Sequence, residues 1–277
     1  MMIKNLTADQ IRKMNYNELI GLTKETNRTP GGLNTILRVS QLLMLNERTK
    51  LLDIGTSTGH TALEFSRLLH CNITGIDINP MSLDTATARA KNLNLTNVSF
   101  LKDDATNLSF EDNTFDVVFC GNVTSLVDNR DKALKQYWRV LKDSGYLVAV
   151  PMYYVKKPSD KLLDDVRNAI QVNIEALYKN YWVDFFTAPS TELYFSEDYL
   201  FDSISDESVI KFCDMILSRD HLNDLSHDAR AALKECYINY MRIFRENLSH
   251  MGFSILIYRK KEDDTQNDYE LFTSRLK

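Results

Sequence analysis

Apolar residues fall along this chain in two rhythms. Short, nearly continuous runs bounded by turn-forming or charged residues occur at 51–54, 72–77, 98–105, 115–120, 146–153, 191–201 and 253–259. Their length and their β-branched and aromatic content predict strands, and runs with no polar alternation predict strands buried on both faces, as in parallel sheets. Between the runs the spacing changes to threes and fours. Leu63, Phe65 and Leu68 predict a helix continuing over 61–69, Ala86, Ala88 and Ala90 a second, 131–141 a third, and 160–178 a long amphipathic one. Residues 1–48 are helical by the same criterion, with Thr7-Ala-Asp-Gln as a helix start and Leu33, Ile36, Leu37, Val39, Leu42 and Leu43 as a later face. Strands alternating with helices predict an α/β architecture.

Composition narrows the class. The 277 residues are 44% hydrophobic, enough for one sizeable core with an elaboration, and the net charge of −5 argues against a broad basic face for nucleic acid. Cys71, Cys120, Cys213 and Cys236 include no close pair, so neither a disulfide framework nor a zinc site is expected, and no metal is called for. The first residues lack the apolar core of a signal peptide, and the longest apolar runs are strand-sized. The expectation is a cytoplasmic protein that does not engage a membrane.

The chemistry is concentrated where the first strand ends. Leu51-Leu-Asp-Ile-Gly-Thr-Ser-Thr-Gly-His-Thr61 reads as strand, tight loop and helix start, with Gly55 and Gly59 leaving room for a ligand against the backbone and the helix near His60 offering free N–H groups. A dinucleotide fingerprint needs glycines at relative positions 1, 3 and 6, where this chain has Gly55, Ser57 and His60, so that reading fails twice. A short β-branched run then ends in Asp77, 24 residues after Asp53. A carboxylate there accepts from vicinal ribose hydroxyls; its alternative use is as a helix cap before Pro80.

An acid followed by glycine-like positions at every second residue, Asp53, Gly55, Ser57 and Gly59, resembles the class I, seven-stranded methyltransferases that use S-adenosylmethionine, with Ser57 in place of the middle glycine. Further landmarks follow in order: Asp104-Ala105 after the third strand, with Asp103 one residue early, then 108–119 around a turn at Glu111-Asp-Asn and a fourth strand, then Arg139-Val-Leu-Lys-Asp-Ser-Gly145 before a fifth. The resemblance implies a doubly wound, mostly parallel seven-stranded sheet with helices on both faces, the seventh strand antiparallel. It also implies a cofactor site of Asp53, Gly55, Thr56, Ser57, Gly59, Asp77, Ile78, Asp104, Ala105, Gly121 and Asn122. In that site Asp77 holds the ribose, the Asp104 carboxylate the adenine amine and the Ala105 N–H a ring nitrogen. Gly121 and Asn122 lie beside the methionine, and the Ser57 hydroxyl is available to the methionyl end.

The same resemblance divides the chain into an N-terminal helical lid (1–48), a methyltransferase domain (49–204 and 249–260), a helical cap insertion (205–248) and a charged tail (261–277). The segment Asn27-Arg-Thr-Pro-Gly-Gly32 is either a plain connection or a mobile lid whose glycine amides close over the ligands. The insertion leaves the sheet at its ligand edge, so it is expected to cover the acceptor with Phe212, Met215, Tyr237, Tyr240 and Met241, the alternative being a homodimer interface. The implied reaction is in-line methyl transfer to a small-molecule acceptor, aromatic or natural-product-like among the options, with a base needed only where the acceptor must lose a proton. His60, His221, His227, His250, Tyr153 and Tyr154 are the available bases, and the sequence selects none. A protein or RNA acceptor, or a non-catalytic protein that binds the cofactor, are the alternatives.

Overall fold

The computed structural model describes residues 3–261; the expected charged tail lies almost wholly outside the described residues. The chain begins with helices α1 (Ala8–Arg12), α2 (Tyr16–Thr23) and α3 (Leu33–Leu43). Strands β1 (Lys50–Ile54), β2 (Asn72–Asp77), β3 (Val98–Lys102) and β4 (Phe115–Cys120) then alternate with α4 (His60–Leu69) and α5 (Pro80–Asn92). Next come α6 (Arg130–Val140), β5 (Leu141–Ala149), the three-residue β6 (Met152–Tyr154), α7 (Asp160–Ile170), α8 (Lys179–Phe186) and β7 (Thr191–Leu200). Helices α9 (Asp206–Leu217) and α10 (His227–Leu248) precede the last strand, β8 (Met251–Lys260).

The sheet runs β3-β2-β1-β4-β5-β8, with β7 on the outer side of β8. Strands β1 to β5 are parallel and β8 pairs antiparallel with both β5 and β7, which is the implied topology. The additional strand, β6, is what remains of the fifth strand beyond Pro151. Proline has no N–H to donate, so the ladder breaks and resumes against the other end of β8. Both faces of the sheet are covered, which is why its strands read as continuous apolar runs. Leu51, Val117, Phe119, Ile255 and Ile257 pack with Ile36, Val39, Ala62 and Phe65 of α3 and α4. Alternate residues Leu52, Ile54, Val118, Leu147 and Leu256 pack with Ala133, Tyr137, Trp182 and Phe186 of α6 and α8.

Two expectations need correction. The helix expected over 160–178 stops at Ile170, where Gln171 takes a left-handed conformation (φ 55°), and a separate helix, α8, follows after a loop. The fifth strand starts at Leu141, five residues early, because Leu141 pairs with Phe115 before an irregularity that carries Ser144 at φ 60°. Thr7 caps α1 as expected, through a reciprocal capping box with Gln10.

A third apolar cluster lies off the sheet. Ile11 and Leu19 of α1 and α2 pack against Val209, Cys213 and Ile216 of α9 and Ala232, Leu233 and Tyr237 of α10. The N-terminal helices and the insertion therefore share one core. Phe212, Tyr240 and Met241 pack onto that core, the Tyr240 hydroxyl donates to the Met14 carbonyl, and Met215 is exposed.

Candidate active site

The loop after β1 is fixed by Asp53, whose carboxylate is buried. Its Oδ2 accepts from the Thr56 hydroxyl at 2.6 Å, and the Ala62 N–H is near enough to favour its charged form. Burial, reinforced by the nearby Asp77 charge, pushes the Asp53 carboxyl up to about 7. Left-handed backbone at Gly55 (φ 67°), Ser57 (φ 49°) and Gly59 (φ 83°) folds the loop back, and the Thr56 N–H donates to the Ile76 carbonyl at 2.8 Å, tying it to β2. Ser57 thus occupies a conformation that glycine adopts freely, which is the physical content of its departure from the family pattern.

The glycines themselves serve packing. A Cβ on Gly55 would run into the Val123 side chain, and one on Gly59 would lie 2.7 Å from the Ala86 Cβ and 3.0 Å from Phe100. The space a side chain would need at these two positions is filled by protein.

At the edge of the loop the sequence-assigned residues come together. The Ser57 N–H donates to Asp77 Oδ2 and the Asn79 N–H to Oδ1, both at 2.9 Å, so each oxygen keeps a lone pair for a further donor. Asn79, not Asp77, caps α5. Ser57 therefore stands beside Asp77 through its backbone N–H. Ile78 is 69% exposed directly after Asp77, an apolar surface fit to receive an aromatic base. Asp103 is used within the chain, accepting from Ser109 N–H and hydroxyl, whereas Asp104 is exposed and accepts from Thr106 through Oδ1 alone among the described residues. Ala105 is half-buried beside it. At the end of β4, Asn122 is committed through Oδ1 to the Met152 N–H, which ties the β4 exit to β6.

Segment 24–32, whose residues 27–32 the sequence offered as a plain connection or a mobile lid, crosses the loop as a strap. The Asn27 N–H donates to the Thr58 hydroxyl, and that hydroxyl donates to the Glu25 carbonyl. Arg89 of α5 donates to the Thr58 and Lys24 carbonyls and to the Thr26 hydroxyl. Arg219, beyond α9, donates to the Thr23 and Lys24 carbonyls. The Glu25 carboxylate accepts from Tyr16 and Tyr237, and burial outweighs these bonds to raise its pKa. Thr29 is the strap's point of closest approach to the sheet edge: its hydroxyl lies 3.1 Å from where a Gly121 Cβ would be, is buried, and has no hydrogen-bond partner. Contact with the site thus comes from Thr29; Gly31 faces Phe253 and Thr35. The signal in the sequence was the polar stretch Thr23-Lys-Glu-Thr-Asn-Arg-Thr29 ahead of Pro30-Gly-Gly, between two amphipathic helices.

Among the residues read as available bases, Tyr153 bonds Ser254, Tyr154 bonds Asn247, His221 bonds the Leu22 carbonyl, His250 bonds the Glu246 carbonyl, and His227 is exposed beside Asp228. His60, the first residue of α4, has an Nδ1 that is buried without a partner, and burial, then the Arg28 charge and more weakly Arg89, lowers its pKa, so it is neutral near pH 7. An open groove of about 450 Å³ lies farther along the sheet edge, lined by Tyr153, Tyr154, Tyr178, Lys179, Asp198 and Tyr199. Among the described residues no cluster of three metal-ligating side chains occurs and no helix is long and apolar enough to cross a membrane.

Residues 52–149 match the methyltransferase domain family model, which spans the loop, Asp77, Asp104 and Gly121 in one frame. The chain is 30% identical to the MccD protein of known crystal structure, covering 85% of this chain and 100% of that one at a TM-score of 0.72. The chain belongs to the class I S-adenosylmethionine-dependent methyltransferases. This methyltransferase is also 32% identical over 128 residues to the ubiquinone/menaquinone biosynthesis C-methyltransferase UbiE of Haemophilus ducreyi, covering 45% of this chain and 48% of that one. It is 34% identical over 119 residues to the uncharacterized methyltransferase YcgJ of Bacillus subtilis, covering 43% and 46%. The chain spans about half the length of these two relatives.

The residues fit the cofactor of this family. Asp77 offers two acceptor oxygens, Ile78 an exposed apolar face, and Asp104 an uncommitted oxygen. The unpartnered Thr29 hydroxyl and His60 Nδ1 are buried polar atoms that a ligand could satisfy, since leaving such groups unpaired costs about 1–3 kcal/mol each.

Proposed function

We propose that this methyltransferase transfers a methyl group by in-line displacement to a small-molecule acceptor held between the strap and the helical unit. S-adenosylmethionine supplies an electrophilic methyl on its sulfonium. The chain's own work is to hold adenosine with Asp77, Ile78, Asp104 and Ala105, to align the acceptor, and to keep water out. The observation that carries this reading is Thr29: a buried, unpartnered hydroxyl delivered onto Gly121 by a strap that is bonded both to the cofactor loop and to the helical unit. We read 1–48 together with 205–248 as one cap over 49–204 and 249–260, because α1, α2, α9 and α10 share a core. Such a covered site suits a small acceptor better than a macromolecule, and the net charge of −5 gives RNA no general attraction.

The name of the Haemophilus ducreyi relative makes carbon one acceptor atom to test. The alternative is a protein that binds the cofactor without turning it over. The deciding experiment measures S-adenosylhomocysteine release from S-adenosylmethionine with a panel of quinone, phenol, amine and carboxylic acid acceptors. Acceptor-dependent release supports methyl transfer to a small molecule. Tight cofactor binding with no release from any of them supports the non-catalytic reading.

A further inference from the structure

The strap carries a second feature that the adenosine contacts and the acceptor reading leave unused. Arg28 is exposed between Asn27, which is bonded to the loop, and Thr29, which is buried against Gly121. Its guanidinium has no hydrogen bond and no ion pair among the described residues. Two further guanidinium groups stand at the strap, those of Arg89 and Arg219. Both donate only to carbonyls and a hydroxyl, so neither charge is neutralised by a carboxylate in direct contact. The three arginines are near enough to act on one another's surroundings: Arg28 and Arg219 both act on Arg89, and Arg28 acts on His60. Of the carboxylates within the same reach, Glu25 is turned into the helical core toward Tyr16 and Tyr237, and Glu64, which also acts on His60, is paired with Arg67.

The result is a positive corner at the edge of the loop, bounded by the buried, unpartnered Thr29 hydroxyl and the buried Nδ1 of His60. A guanidinium matches a carboxylate in geometry as well as charge, and a hydroxyl beside it supplies a third donor. We infer that Arg28, with Thr29 and His60, binds the α-carboxylate at the methionine end of the cofactor. The inference rests on the cofactor reading above and adds its missing half: the adenosine end is held by β2 and β3, the amino-acid end by the strap.

Because Arg28 makes no hydrogen bond or ion pair among the described residues, Arg28→Met, which keeps the stem that lies beside Gly32, should fold and melt close to the parent without ligand. Titration calorimetry with S-adenosylhomocysteine and with 5′-methylthioadenosine, which lacks the amino-acid end, separates the contributions. Arg28→Met should weaken S-adenosylhomocysteine about 10- to 100-fold, the size of a hydrogen bond to a charged group, and leave 5′-methylthioadenosine within about twofold. Arg28→Lys, which keeps the charge but not the fork, should fall between. Equal weakening of both ligands, or unchanged S-adenosylhomocysteine binding, overturns the assignment of Arg28. A parent protein that binds neither ligand overturns the cofactor reading itself.

Discussion

Asp53 makes a prediction whose size follows from where it sits. Its carboxyl is raised from the usual 3.8 to about 7, first by burial and then by the Asp77 charge, against the lowering effect of the Thr56 hydroxyl and the Ala62 N–H. Between those two values the folded chain holds a proton that the unfolded chain has lost. Stability therefore rises as pH falls, by about 1.4 kcal/mol per pH unit for one proton. The contribution is complete below the unfolded value and disappears as pH rises through the folded one. From pH 8 to pH 5 the gain is about 2.5 kcal/mol, since the slope flattens near 7. Other groups titrate too, so the measurement needs a reference that shares them. Asp53→Asn supplies it, keeping an oxygen for Thr56 and Ala62 while removing the proton equilibrium. Urea unfolding at pH 5, 6, 7 and 8 should show the parent gaining on Asp53→Asn by that amount as pH is lowered. A difference between the two that is the same at pH 5 and pH 8 would refute the reasoning, and with it the claim that this acid is sealed beneath the loop.

Asp77→Ala should weaken S-adenosylhomocysteine by roughly 1.5–3 kcal/mol and, because it strips the Ser57 and Asn79 N–H groups of their acceptor, lower the stability of the ligand-free chain by about 1 kcal/mol in urea titration. Gly59→Ala should cost about 2–4 kcal/mol of stability, since it combines left-handed backbone with a Cβ pressed on Ala86 and Phe100; a melting temperature equal to the parent's contradicts this. Thr29→Val, nearly isosteric, should raise ligand-free stability by about 1 kcal/mol by removing an unpaired buried hydroxyl while weakening the cofactor in calorimetry, and unchanged affinity would mean that the hydroxyl does not face the ligand.

Those positions differ in how far the sequence revealed them. The strands were legible because a sheet covered on both faces needs unbroken apolar runs, and Leu51, Leu52 and Ile54 show both faces at once. The places of Asp77 and Asp104, at the exits of β2 and β3, were legible because each follows a run long and apolar enough to be a strand. The end of α7 was not, because Ile170, Ile174 and Leu177 keep helical spacing through a stretch that tertiary contacts unwind, with Arg167 bonding the Ile174 carbonyl instead of continuing the helix. Gly55 and Gly59 were read as room for a ligand, and a pattern of small residues cannot say whether a ligand or a side chain such as Val123 will take the space. The strap was visible in the sequence only as a connection or lid at 27–32, without its partners. Its importance lies in pairings such as Glu25 with Tyr237 and Lys24 with Arg219, about two hundred positions apart, and one sequence carries no sign of such pairs.

These pairings decide how the cap relates to the cofactor. Tyr237 in α10 and Tyr16 in α2 both donate to Glu25, whose own carbonyl accepts from Thr58 in the loop, so two bonds separate the cap's core from the cofactor's edge. Glu25 is held by the cap through its side chain and by the loop through its backbone. The Glu25 carboxylate is raised by burial, so its charged form is disfavoured, and the two phenols are what make it tolerable there. Removing the nearer phenol with Tyr237→Phe leaves a buried carboxylate short of a donor, a loss of roughly 1.5–3 kcal/mol, and the strain falls on the one segment that carries Arg28 and Thr29. A cap mutation more than two hundred residues from the strap in sequence is thereby felt at the cofactor. On the proposed reading, the helical unit bears on the cofactor through the strap that Tyr16 and Tyr237 hold in place.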